Sequence, residues 1–164
     1  DAYGGDLAGR MRFPLEVIAT VRETWPDNRP LFVRISAVDG LDGGWTLEDS
    51  VAFVREAKAR GVDVIDCSSG GLMGSATAAR LPRGYSFQVP FAAEIRKQAE
   101  IATMAVGLIL HPQQAEDILA EGHADIVAVG REALFDPNWP LHAELELSGR
   151  TEGVFDAWPK QYGW

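Results

Sequence analysis

"ADIVAVGREAL", residues 124–134, is the stretch whose reading decides the fold. A continuous apolar run, Ile126 to Val129, stops at Gly130-Arg131, and a segment of helical character follows. The same punctuation occurs upstream in "TMAVGLI" (103–109), where the run ends at Gly107. Short β-branched runs without clean alternation are the pattern of strands buried on both faces of a parallel sheet. The chain holds four: "LFVRISA" (31–37), "VDVIDCSS" (62–69), "IATMAVGLI" (101–109) and "DIVAVG" (125–130).

Helical patterns separate the runs. Residues 10–25 place Pro14, Val17, Ile18, Val21 and Trp25 along one expected face. Residues 47–60 follow Thr46, a predicted N-cap with Asp49 three positions on, and carry Leu47, Val51 and Val54 on one stripe before Gly61 stops the helix. Residues 90–99 begin with Pro90 and present Phe91, Ile95 and Ala99. Residues 112–121 begin with Pro112, are expected to bury Ala115, Ile118 and Leu119, and end at Gly122. A last helix, about 139–147, follows "DPNWP". Repeated βα units of this length predict a single α/β region over 1–164 with a parallel sheet, doubly wound or closed as a barrel. Two loops, 39–44 and 70–86, exceed what the connections need. Both follow strands, so both fall on the C-terminal side of the sheet, where ligands bind in such folds. The second, rich in Gly, Ala and Ser, reads as a lid.

Composition narrows the partners. The 164 residues carry a formal net charge of −9, which argues against nucleic acid and anionic membrane surfaces. A local anion site needs only a few groups and stays open. One cysteine, Cys67, excludes an internal disulfide framework and fits a reducing compartment; the cytoplasm is the expected location. Cys67 reads as a small buried hydrophobe. His111, His123 and His142 have no metal-ligand spacing and read as surface or cap residues.

The strand ends carry the chemistry. Gly107 and Gly130 close neighbouring strands, and a bare backbone there lets a ligand approach N–H groups, with a following helix adding its N-terminal dipole. Arg131 adds a charge able to grip a phosphate at two points. Arg34, inside an apolar strand, must point into a polar cavity or pair with a carboxylate such as Asp66 or Asp39. Ser68, at the end of the second strand, could donate to a ligand oxygen. These residues give an anion site with a second arginine, and no reaction.

The same residues, in order, resemble the Old Yellow Enzyme family of flavin-dependent ene-reductases, most of all its bacterial class of thermostable ene-reductases and xenobiotic reductases. "YGGDLAGRMRFPLEVIATVRETWP", "PLFVRISAVD", "GVDVIDCSSGGL", "FQVPFA", "AVGLI", "ADIVAVGREAL" and "DPNWP" follow that family's later strands across essentially the whole chain. The resemblance implies a (β/α)8 TIM barrel holding FMN, of which this chain supplies the C-terminal half, strands five to eight. It implies that Arg34 lies against the flavin N1/O2 edge. It places Ser68, Gly107, Leu108, Gly130 and Arg131 on the phosphate and ribityl site. NADPH or NADH would reduce the flavin, whose hydride then passes to a small activated alkene. The family's catalytic residues (the His pair that holds the substrate carbonyl, the proton-donating tyrosine, the residue tuning the flavin potential) would precede Asp1, so no catalytic role falls on this chain.

A half-barrel leaves edge strands unpaired. The expectation is therefore a fragment that works beside a complementary N-terminal half-barrel, the complete enzyme being a homodimer or larger. The tail, about 150–164, resembles one that reaches a neighbouring active site in this class. Here Tyr162 or Trp164 would contribute, unless the tail simply packs on a helix. Two other readings share the glycine ends: a flavin-free phosphate-binding barrel fragment of aldolase or synthase type, and a non-catalytic half-barrel interaction module.

Overall fold

The four apolar runs become four strands in a computed structural model of the chain, which describes residues 1–70, 83–150, 152–153 and 155–161. The elements run α1 (Leu7–Thr24), β1 (Phe32–Ser36), α2 (Leu47–Lys58), β2 (Val64–Ser68), α3 (Val89–Ala99), β3 (Ala102–Ala105), α4 (Pro112–Ala120), β4 (Ile126–Val127), α5 (Arg131–Phe135) and α6 (Trp139–Leu147). All strand pairs are parallel, and the sheet order is β1-β2-β3-β4. A doubly wound sheet reverses its order at a switch point; this one never does. Right-handed crossovers wound in one direction put every helix on the same side of the sheet. That is the wall of a barrel, and four consecutive βα units are half of a (β/α)8 barrel.

Local signals set the helix ends. Asp6 caps α1 by accepting from Gly9 N at 2.8 Å. Thr46 and Asp49 form the reciprocal capping box of α2, with Asp49 N donating to Thr46 Oγ1 at 3.1 Å and Thr46 N to Asp49 Oδ2 at 3.2 Å. Asp125 ties the last two strands together. It accepts two bonds from Arg96 at 3.0 Å and one from Thr103 N at 2.9 Å. The Arg96 hydrogen bond, helped by Thr103 and the arginine charge against some desolvation, holds the Asp125 carboxyl below its usual range.

Register divides the sheet into two unlike faces. Val33, Ile65 and Thr103 share one face with Ile35, Cys67, Ala105 and Val127. The helices cover it: Ile65, Cys67, Thr103 and Ala105 are fully buried. The other face carries Phe32, Arg34, Asp66, Met104 and Ile126. Among the described residues nothing covers its margins, and Phe32 is 43% and Ile126 36% exposed. The expectation of strands buried on both faces holds for β2 and is corrected for the outer strands β1 and β4. Apolarity marks surface that needs cover, and at the margins of this face the described residues supply none, although Val64 and Asp66 at its centre are buried.

Two helical faces are corrected for the same reason. Ile18 is buried, but Val17, Val21 and Trp25 are exposed, and Leu15 takes the inner position. On α4, Ala115 and Ile118 are buried and Leu119 is exposed. An amphipathic stripe names a face and leaves open which neighbour lies against it. Among the described residues, no helix is long and apolar enough to cross a membrane.

Candidate functional site

At the C-terminal ends of the strands lies a cleft of about 290 Å³, lined among others by Arg34, Gly107, Leu108, Gly130 and Arg131. Five of the six residues singled out in the sequence thus meet in one place. The sixth, Ser68, lies off the cleft lining, and its hydroxyl donates to Ile35 O at 2.9 Å.

Arg34 satisfies both readings open in the sequence. Its Nη1 donates to Asp66 Oδ2 at 2.8 Å, and its side chain, 57% exposed, also lines the cleft. Asp66 is almost fully buried, and its second oxygen, Oδ1, has no partner among the described residues. Asp39 is not involved. It closes its own loop by accepting from Trp45 N at 2.8 Å.

The two glycines differ. Gly107 has φ +122°, and a Cβ there would stand 2.9 Å from the Gln88 side-chain amide and 3.0 Å from the Phe87 ring. Leu108 follows at φ +52°, a left-handed conformation that leucine rarely takes. Gly130 has φ −106°, and a Cβ there would meet nothing within 4 Å. The helix after it, α5, is only five residues long, so the expected dipole contribution is small and Arg131 carries the positive charge.

Several organising residues were not anticipated from sequence. Gln88, buried, spans two strand ends: with its amide turned to suit its neighbours, it accepts from Ser69 N at 2.7 Å and donates to Val106 O at 3.2 Å. Gln114 gathers the turn after β3. Its position three residues after His111, at a helix start, is capping-box spacing, the signal that could have found it.

Other polar candidates fall away from the cleft. Cys67 points to the helix side; burial, then the Asp66 charge, pushes its thiol up to about 12, so it is no thiolate near neutral pH. His142 pairs with Asp136 at 2.5 Å, and His123 lies 3.4 Å from Glu121. No group of three or more metal-ligating side chains occurs among the described residues. Trp158 packs on His142 of α6, ring centroids 5.3 Å apart, so this part of the tail is helix-packing. Tyr162, Trp164 and most of the expected lid (71–82) lie outside the described residues.

Sequentially wound parallel strands, each followed by a helix, define a class: the (β/α)-barrel proteins, in which the C-terminal strand ends carry the ligand site. Within that class the chain belongs to the NADH:flavin oxidoreductase / NADH oxidase family, whose model matches residues 1–149. It is 44% identical over 162 residues to an NADPH dehydrogenase of Halalkalibacterium halodurans, covering 99% of this chain and 45% of the relative. It is 46% identical over 166 residues to an NADPH dehydrogenase of Geobacillus thermodenitrificans, covering all of this chain and 46% of the relative. The chain therefore spans about half the length of these curated relatives. Among solved structures, a 2-naphthoyl-CoA reductase in complex with 2-naphthoyl-CoA superposes with TM-score 0.75 at 26% identity, over 85% of this chain and 22% of that one. A histamine dehydrogenase from Rhizobium sp. 4-9 gives TM-score 0.71 at 25% identity, over 89% of this chain and 21% of that one.

Proposed function

We propose that this chain supplies the phosphate and N1/O2 side of an FMN site in an NADPH-driven ene-reductase, working beside a complementary N-terminal half-barrel in the cytoplasm. The observation that carries the reading is the convergence of Arg34, Gly107, Leu108, Gly130 and Arg131 on one cleft. Bound FMN would supply hydride transfer from the nicotinamide to an activated alkene.

The residues fit such a group. Gly130 leaves open space where any other residue would put a Cβ, so a phosphate can reach the backbone there. Arg131 is placed to neutralise the phosphate charge. Arg34, anchored by Asp66 on one side and open to the cleft on the other, would hold positive charge beside the pyrimidine edge of the isoalloxazine. A phosphate ligand without a flavin would use Arg131 and leave the cleft-facing side of Arg34 unused beyond its pair with Asp66, which favours FMN over the aldolase or synthase reading.

The complementary half would cover the open face of the sheet and the apolar side chains at its margins. Phe13 is 62% exposed on the α1 side, and Leu134 and Phe135 are each 84% exposed on the α5 side. The direct test mixes this chain with the N-terminal half of the barrel and measures co-purifying oxidised-flavin absorbance. Stoichiometric FMN in the complex is expected. A stable complex that takes up no FMN would sink the flavin reading.

A further inference from the structure

The turn after β3 is held by a side chain that lies outside the cleft lining. Gln114, in the first turn of α4, uses both ends of its amide. Its Nε2 donates to Leu108 O at 2.8 Å and to Ser86 Oγ at 2.8 Å. Its Oε1 accepts from Leu110 N at 3.0 Å and, more weakly, from His111 N at 3.4 Å. One rigidly placed amide thus ties down the carbonyl and amide groups on either side of the turn and links it to the segment leading into α3.

The consequence lies in what remains unused. The N–H groups of Gly107, Leu108 and Ile109 have no partner among the described residues. Gly107 and Leu108 both have positive φ, +122° and +52°. Successive N–H groups on such a backbone form a concavity suited to an anion. A leucine does not hold φ +52° by preference; something must fix it there. The bond from Gln114 to the Leu108 carbonyl is placed to do so.

We propose that Gln114 is a positioning residue: it locks the Gly107–Leu108 turn in its left-handed form and so presents consecutive backbone amides to the phosphate of the ligand. The inference rests on the reading of this cleft as a phosphate-cofactor site and adds the device that shapes it. Gln114 itself touches no ligand.

The test uses the complete barrel, this chain with its complementary half, titrated separately with FMN and with inorganic phosphate. Gln114→Met keeps the side-chain length and removes all four hydrogen bonds. It should weaken both ligands by roughly tenfold or more, in line with the loss of one to two net hydrogen bonds. Adding Leu108→Gly to Gln114→Met supplies a residue that adopts φ +52° unaided and should recover most of the lost affinity. That rescue would not follow if Gln114 merely stabilised α4.

Unchanged affinity in Gln114→Met, or no recovery in the double variant while the protein stays folded, overturns the inference. If Gln114→Met does not fold, Gln114→Glu takes its place. It keeps an acceptor for Leu110 and His111 but loses the donor to Leu108, and affinity equal to wild type there overturns the inference equally. A wild-type barrel that binds phosphate but not FMN defeats the flavin reading alone, and the phosphate titrations still decide the role of Gln114. A wild-type barrel that binds neither ligand defeats both.

Discussion

Gly107 and Gly130 look alike in sequence and differ in the folded chain. Each ends an apolar run and precedes a turn. Gly107 is required by its own protein: its φ is +122°, and Phe87 and Gln88 fill the space a Cβ would need. Gly130 has φ −106°, and a Cβ there would meet nothing within 4 Å, so no neighbouring atom excludes a side chain. Under the proposed reading, the space left open at Gly130, beside Arg131 on the cleft, is where a ligand phosphate comes close to the backbone. Space and backbone conformation both constrain Gly107, whereas at Gly130 no neighbouring atom does, although both glycines face the same cleft.

The largest expected effect separates the charge beside Gly130 from the charge across the cleft. In the complete barrel, Arg131→Ala should weaken FMN binding by about 2–4 kcal/mol, through loss of a phosphate partner. Arg34→Ala should leave FMN affinity nearly intact and slow flavin reduction by the nicotinamide instead. Flavin titration and stopped-flow reduction together read the two effects; equal losses of affinity would erase the division between the two arginines.

A smaller pair of effects tests the glycines themselves. Gly107→Ala forces a strained φ and a clash, and should lower the stability of the FMN-free protein by about 1–3 kcal/mol in denaturant unfolding. Gly130→Ala should stay within about 0.5 kcal/mol of wild type in the same measurement and still reduce FMN affinity. If Gly130→Ala proved the more destabilising, the reading of Gly107 as the glycine on which the fold depends more would fail.

Much of this was legible before any coordinates. The four strands are short β-branched runs closed by glycine or polar residues. The capping box at Thr46 and Asp49 is a local pattern whose partners are three residues apart, so it survives without tertiary information. The cleft residues were visible because a glycine end and an in-strand arginine are anomalies that need explaining. Other features depend on contacts distant in sequence. Val17, Val21 and Trp25 form an apolar stripe that is exposed among the described residues, because periodicity names a face and not its neighbour. Gln88, just before α3, and Gln114, in the first turn of α4, are ordinary by residue type. They matter because Gln88 reaches Ser69 and Val106, and Gln114 reaches Ser86 and Leu108, and no propensity records that. The residue pattern alone left the winding open, since βα repeats permit a doubly wound sheet or a barrel wall; the family resemblance implied the barrel, and the order β1-β2-β3-β4 agrees with it.

The central claim is that the ends of β3 and β4 together form the phosphate half of an FMN site. Hydrogen–deuterium exchange of the complete barrel with and without FMN tests it most directly. Slower exchange is expected at the amides of Gly107, Leu108, Gly130 and Arg131 on FMN binding, with the 39–44 loop unchanged. Bound FMN that left all four of those amides exchanging as before would place the phosphate elsewhere and contradict it.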